Sequence, residues 1–255
     1  MRRLSLILLL LSGAAQAAEI VDATGRTVSI PDRVTRILPA DASAAVLLVA
    51  LAPDLMLGFP GEMPPEARPF LPPQMGALPQ VPPLSDADDV TQQVRALKPD
   101  LIVAYGDVAP SDIERTKQTQ QRLGVPTILL DSALQQTPDA LRTLGRALHR
   151  ELRAEVLARL ASYPLLGAQN VGAAGKPHTV MYVRGFETLS AVAPGVDASE
   201  VFTLLHWRVL APPGNGSFRP VDMEQIAALD PDELIFSDPR VRHVVSAEGP
   251  WKIVR

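Results

Sequence analysis

The chain has 255 residues, 24 Lys+Arg against 28 Asp+Glu, a formal net charge of −4 and no cysteine. The missing cysteines exclude disulfide scaffolds, thiol nucleophiles, iron–sulfur clusters and cysteine-ligated zinc. Hydrophobic residues make up 47% and charged residues 20%, too apolar for a disordered chain, and a mildly acidic balance is a poor match for nucleic acid or anionic lipid.

Residues 1–17 read as a secretory signal peptide. Met1-Arg2-Arg3 is a basic start, an apolar run follows from Leu4 to Leu11, and Ala15-Gln16-Ala17 is a small-x-small cleavage site. The run is too short to span a bilayer. With no cysteine beyond it for lipid attachment, release of a soluble protein into a periplasm is expected.

Two short β-prone runs over 20–30, turning at Thr24-Gly25, predict a hairpin. A strand is expected over 34–38, a small-residue helix over 40–51 and a strand over 55–58. The proline-rich stretch 59–84 reads as a long ordered loop, anchored by Phe59, Phe70, Leu71 and Met75. A helix over 90–97, a buried strand over 101–105, a helix over 111–123 with Ser111 as N-cap and a strand over 125–130 follow. This alternation implies a largely parallel sheet covered by helices.

Thr137 as N-cap, Pro138 and Asp139 open a longer helix, expected over 137–163 and closed by Pro164. Leu141, Leu144, Leu148, Leu152, Val156, Leu160 and Tyr163 form its apolar stripe, opposite Arg142, Arg146, Arg150, Arg153 and Arg159. Beyond it the pattern restarts, with a strand over 179–183, helices near 199–205 and over 222–229, and a strand over 234–237. The restart is a repeat. Ala96-Leu97-Lys98-Pro99-Asp100 before Leu-Ile-Val returns as Ala228-Leu229-Asp230-Pro231-Asp232 with Glu233 inserted before Leu-Ile-Phe. Two copies on either side of a long helix imply two similar lobes.

These residues carry a resemblance to a known family. Asp22-Ala23-Thr24-Gly25-Arg26-Thr27-Val28, Ala96-Leu97-Lys98-Pro99-Asp100-Leu101-Ile102, Leu123-Gly124-Val125-Pro126, Leu144-Gly145-Arg146-Ala147-Leu148 and Val221-Asp222-Met223-Glu224-Gln225-Ile226 stand in the order and spacing of the helical-backbone (class III) periplasmic substrate-binding proteins. Those proteins feed iron–siderophore, haem or cobalamin ABC importers. The resemblance covers nearly all of 19–255. It implies an α/β protein of two Rossmann-like lobes with central parallel sheets: an N-terminal lobe over 18–136, one bridging helix over 137–163 and a C-terminal lobe over 164–255. Family members usually continue past the position of Trp251, so the second lobe is expected to lack a strand and closing helices. The resemblance further implies a non-catalytic monomer that takes a small-molecule metal chelate between its lobes and presents it to an inner-membrane ABC permease. Docking falls to Glu224 and, where the family tends to carry glutamate, to Gln92.

Open α/β sheets bind ligands outside the carboxyl ends of their strands. The candidate lining is therefore Pro39, Ala40, Asp41, Phe59, Pro60, Tyr105, Gly106 and Asp107 from the first lobe. The second offers Arg184, Gly185, Phe186, Glu187, Ser217, Phe218, Arg219, Ser237, Asp238 and Arg240, with 217–219 on a glycine-rich loop. The aromatics can stack on a bulky chelate and the arginines can pair with its anionic groups. Tyr105 can also be read as a ferric-iron ligand, although stacking or hydrogen bonding is the commoner role of a tyrosine at a strand end. No resident cofactor or metal is expected: His149, His178, His206 and His243 are isolated, and His206 with Glu200 is the one tempting pair. Enzyme signatures fail. Gly214-Asn215-Gly216-Ser217-Phe218 is not a nucleophile elbow, and Gly172-Ala173-Ala174-Gly175-Lys176-Pro177 is not a phosphate loop. A periplasmic enzyme on a similar scaffold and a truncated member unable to bind remain the alternatives.

Overall fold

An antiparallel hairpin opens the fold, β1 (Ala17–Val21) against β2 (Thr27–Pro31), with Ile20 opposite Val28. The computed structural model describes residues 17–62, 65–71, 73–84, 87–171 and 178–243. The expected signal peptide, except Ala17, and the stretch around Trp251 lie outside them. Asp22 builds the turn. Its Oδ1 accepts from Thr24 N (3.0 Å), Thr24 Oγ1 (2.6 Å) and Arg26 N (3.2 Å), and Gly25 takes φ 78°. Its Oδ2 accepts from Arg26 Nη2 at 2.7 Å, and Arg26 donates on to the Thr127 carbonyl. Burial opposes the charge on Asp22, but the hydrogen bonds from Thr24 and Arg26 and the Arg26 charge outweigh it, so its carboxyl sits below the usual range.

The chain divides into two compact units, Met1–Ser132 with Pro138–Ala158, and Ala133–Thr137 with Arg159–Arg255. In the first, β3 (Ile37–Pro39), β6 (Leu101–Gly106) and β7 (Thr127–Asp131) form a parallel sheet in that order, β6 central. α1 (Ala42–Leu51), α2 (Asp88–Leu97) and α3 (Pro110–Leu123) connect them. Leu38, Ile102, Val94 and Leu123 pack in one core cluster. Pro110 takes the first helical position of α3 with Ala109 as N-cap, so the expected cap Ser111 lies inside the helix.

The strand expected over 55–58 is instead a 3-10 turn, Pro53–Leu55, and a single bridge from Met56 to Ile37. The proline-rich stretch holds two short parallel strands, β4 (Phe59–Pro60) and β5 (Gln80–Val81). Met75 and Val81 bury and anchor it, whereas Phe70 is 88% exposed and anchors nothing.

The stretch read as one helix over 137–163 is two, α4 (Thr137–Ala147) and α5 (Glu151–Val171). Thr137 is not an N-cap. Leu134–Gln136 forms a 3-10 turn leading straight into it, and Thr137 has helical φ/ψ. α4 ends at His149, which takes the left-handed φ of 52°. His149 N donates to Arg146 O and Arg150 N to Gly145 O (2.8 Å), the paired bonds of a Schellman ending. The second helix then packs on the first through Ala154, against Gly145. Leu141, Leu144 and Leu148 are buried as expected, but α5 buries Ala154, Ala158 and Leu165 and turns Leu152, Val156, Leu160 and Tyr163 outward. Pro164 does not close the helix, which runs seven residues beyond it.

The second unit centres on β8 (Thr179–Arg184). β9 (Ser190–Val192) pairs with it antiparallel, while β10 (Arg208–Val209) and β12 (Glu233–Phe236) pair with it parallel. β11 (Phe218–Pro220) adds antiparallel to β9. α6 (Asp197–Leu204) and α7 (Met223–Leu229) flank the sheet, α7 with a capping box of Asp222 and Gln225. Phe202 packs with Val180 and Val209, and Ile226 with Met181 and Val183.

The sequence repeat is a structural repeat. Lys98 and Asp230 end α2 and α7 in the same left-handed conformation, φ 48° and 43°. The aspartate two residues on then grips the start of the neighbouring strand. Asp100 accepts from Thr35 N, Thr35 Oγ1 and Arg36 N at 2.9–3.0 Å. Asp232 accepts from Thr179 N (2.8 Å) and Thr179 Oγ1 (2.7 Å).

Two outcomes follow for stability. Gly145→Ala drives a methyl into Ala154 and is expected to lower unfolding stability by about 1–3 kcal/mol in denaturant titration. Asp22 has a depressed folded pKa, so its contribution is present above the unfolded carboxylate value and is lost as pH falls through the folded one. Asp22→Asn should flatten that acid-side loss in melting curves recorded against pH.

Candidate functional site

In the first unit, the carboxyl ends of β3 and β6 stand side by side because the strands are parallel and in register, Pro39 opposite Val103. Asp41 fastens the two ends. Its Oδ1 accepts from Ala44 N at 2.7 Å as the N-cap of α1, and its Oδ2 accepts from Tyr105 N at 3.2 Å. Burial pushes its pKa up, against the backbone donors that favour the charged form. Ala40, Tyr105 and Gly106 are half-buried beside it, and Asp107 is exposed with Ser132 Oγ 3.5 Å from its Oδ1. Pro39 is buried. Phe59 and Pro60 lie on β4, in a separate two-stranded sheet.

A cavity of ≈ 610 Å³ opens at this edge, lined by Ala40, Asp41 and Gly106 of the predicted set. Leu84, Ala104 and Leu129 add apolar wall, and the sequence reading missed a polar set: Ser111, Asp112, Arg115, Thr116, Thr119 and Arg122 from α3, and Thr127 from β7. Thr116 and Thr119, three apart on this polar helix, are both buried.

In the second unit, the predicted residues gather more tightly. β8 ends at Arg184, and its guanidinium lies 4.6 Å from the centroid of the Phe218 ring. Phe218 and Arg219 sit on strand β11 and not on the expected loop. The turn after Arg184 brings Phe186 under the guanidinium of Arg240, 4.7 Å from its centroid. Asp238 grips Arg240 with both oxygens, Nη2 to Oδ2 at 2.6 Å and Nε to Oδ1 at 3.0 Å. The Arg240 guanidinium thereby holds the Asp238 carboxyl below its ordinary range. Ser237 N donates to the Val183 carbonyl, which sets this segment against β8. Arg219 turns inward, donating Nη1 to Pro212 O at 2.8 Å, while its buried Nε finds no hydrogen-bond partner among the described residues.

Gly185 makes the turn possible. It takes φ 90°, and a Cβ there would run into the Thr188 carbonyl. The result is a surface of two flat guanidinium groups, each backed by an aromatic ring, suited to planar or anionic guests. Glu187 and Ser217 are exposed nearby in sequence. Glu200, which the sequence offers as a partner for His206, instead accepts from Leu134 N at 2.7 Å. Among the described residues, no three His, Asp or Glu side chains converge as a metal site. Gln92 on α2 and Glu224 on α7 are both exposed.

Residues 78–250 match the periplasmic binding protein family. The chain belongs to that family. Its members bind solutes and are not enzymes, and they work in the periplasm. No curated protein matches the chain in sequence. Among solved structures, this periplasmic binding protein is similar to an ABC transporter solute binding protein from Sulfurospirillum deleyianum. The TM-score is 0.79 and identity 22%, over 91% of this chain and 75% of that one. A siderophore binding protein, BauB, bound to two acinetobactin molecules and ferric iron, matches with TM-score 0.66 and 19% identity over 89% and 78%. The vitamin B12 binding protein BtuF of Vibrio cholerae matches with TM-score 0.64 and 21% identity over 84% and 80%. At these identities the likeness is one of fold, and the fold is the α/β class expected, with a parallel sheet in the first unit; the second unit's sheet, expected parallel, is mixed because β9 pairs antiparallel with both β8 and β11. No described helix is long and apolar enough to cross a membrane.

Gly185→Ala is expected to cost about 1–3 kcal/mol in denaturant unfolding, because the left-handed turn and the Thr188 carbonyl leave no room for a side chain.

Proposed function

We propose that residues 1–17 direct this protein into a periplasm and are removed there. The mature chain then captures a small-molecule metal chelate and delivers it to an inner-membrane ABC permease. An iron–siderophore complex is the preferred cargo, with haem and cobalamin as related ones. Ligand contacts come from Pro39, Ala40, Asp41, Phe59, Tyr105, Gly106 and Asp107 in the first unit. In the second they come from Arg184, Gly185, Phe186, Phe218, Arg219, Ser237, Asp238 and Arg240. Glu224 and Gln92, each on an exposed helix, serve as permease-facing groups.

The observation that carries this reading is the stacking of Arg184 on Phe218 and of Arg240 on Phe186 at the carboxyl end of β8. Asp238 neutralises Arg240, which leaves Arg184 as the cation offered to an anionic chelate. An aromatic backing holds a guanidinium flat and partly dehydrated, which strengthens a charge-assisted bond to a carboxylate or other oxyanion. Family membership and the cargoes of BauB and BtuF support the same substrate class.

The test is calorimetric and thermal titration of the purified mature chain with ferric siderophores, haemin and cobalamin. A bound chelate at a hundredfold excess over Kd should stabilise the protein by about 2.7 kcal/mol, with no chemical change in the ligand. Arg184→Ala should weaken that binding by about tenfold or more. Absence of any thermal shift across the panel overturns the reading. For docking, Glu224→Lys should lower uptake in cells while leaving chelate affinity unchanged.

A further inference from the structure

At the carboxyl end of β8 two guanidinium groups stand on aromatic rings, but only one keeps its charge for a guest. Arg184, on Phe218, is exposed and forms no ion pair among the described residues. Arg240, on Phe186, is spent on Asp238. Both carboxylate oxygens of Asp238 serve that one residue. Oδ1 accepts from Arg240 N (2.9 Å) and Nε (3.0 Å), and Oδ2 from Nε (3.1 Å) and Nη2 (2.6 Å).

The bond to the Arg240 backbone closes an aspartate turn, so the two side chains are locked in one unit and do not meet as loose surface charges. The Asp238 side chain is 18% exposed, against 66% for Arg240. The turn itself is seated on the sheet: Phe236 pairs with Val183, and Ser237 N donates to the Val183 carbonyl. Other outward charges at this edge are few. Arg219 is folded back on the Pro212 carbonyl, and Glu187, exposed on the turn after Arg184, adds a further negative charge.

Arg184 and the ring under Arg240 belong to one turn, with Cα atoms of residues 184 and 186 no more than ~7.6 Å apart. A bulky chelate seated on Arg184 therefore comes within the ~8–10 Å Debye length of the Asp238–Arg240 pair. With the pair intact its charges cancel, and the guest meets one unbalanced cation. Without the carboxylate it would meet two. Coulomb attraction grows with the guest's own charge, so a trianion feels that change three times as strongly as a monoanion, and a neutral complex hardly at all.

We propose that Asp238 sets the charge class of the cargo: by cancelling Arg240 it admits ferric chelates that are neutral or singly negative and disfavours polyanionic ones. The inference rests on the chelate-binding reading above and narrows it. Ferric iron held by three hydroxamates, each singly negative, is neutral; held by three catecholates, each doubly negative, it is a trianion. The hydroxamate type is the expected cargo.

The test is calorimetric titration of the full mature chain with the ferric complexes of a hexadentate tris-hydroxamate and a hexadentate tris-catecholate. The wild-type chain should bind the hydroxamate complex more tightly. Asp238→Asn keeps an oxygen for the Arg240 backbone N–H and removes the charge. It should raise the catecholate-to-hydroxamate affinity ratio by about tenfold or more at low salt, and the gain should shrink near ~1 M salt. Adding Arg240→Gln to that variant should return the ratio close to the wild-type value, which damage to the turn would not do. Should Asp238→Asn fail to fold, Arg240→Gln alone decides, because it leaves Asp238 uncancelled and should lower the ratio by about tenfold. A wild-type preference for the trianion overturns the inference, and so does a ratio that neither variant moves; the chelate reading survives both results. Binding of neither complex overturns the inference alone if haemin or cobalamin still binds, and both readings if nothing does.

Discussion

Parallel strands have no hairpin to set their register, so something else must hold one strand's start against the next. Here a carboxylate does so, once in each unit. Asp100 takes the first backbone N–H groups of the β3 segment and Asp232 takes those of β8. A slip of one residue would turn every side chain to the opposite face, and what emerges at the far end of each strand would change with it. The positions of Tyr105 beyond Asp100 and of Ser237 and Asp238 beyond Asp232 are therefore consequences of these clamps. The left-handed Lys98 and Asp230 deliver each aspartate to its place by stopping the preceding helix abruptly.

Much of this was legible in the sequence because it rests on local chemistry. Thr24-Gly25 requires a turn, and the Pro-Asp repeat requires two strand starts of one kind. The alternation of apolar runs with helical periods requires a parallel sheet. The break between α4 and α5 was not legible. Leu148-His149-Arg150 contains neither glycine nor proline, and the four-residue step from Leu148 to Leu152 keeps the apolar period intact across it. The Schellman ending redirects the chain after Leu148, so a stripe continuous in sequence is buried in its first half and exposed in its second. Nor were β9 and β11 legible, for each is three residues long, too short for alternation to register.

The candidate site divides in the same way. Strand ends were located by topology, and in the second unit Arg184 meets Phe218 while Phe186 and Asp238 both meet Arg240. Which pairs they form depends on the register of β8 with β9 and β11, which no linear spacing encodes. Asp41 acquires a structural task, tying α1 to β6 with its two oxygens. The polar wall supplied by α3 was hidden for a different reason: threonines on a hydrophilic helix read as solvated surface until the sheet is set beneath them.

The interleaving of the two units has a practical corollary. The backbone leaves the first unit at Ser132, re-enters it at Pro138 and leaves for good at Ala158. A fragment cut at Ser132 would forfeit the buried Leu141 and Leu144 and the seat that Gly145 provides for Ala154. Dissection into halves must therefore sever α5 itself, and a nascent chain cannot complete its first unit until the segment Pro138–Ala158 has followed Ser132 off the ribosome.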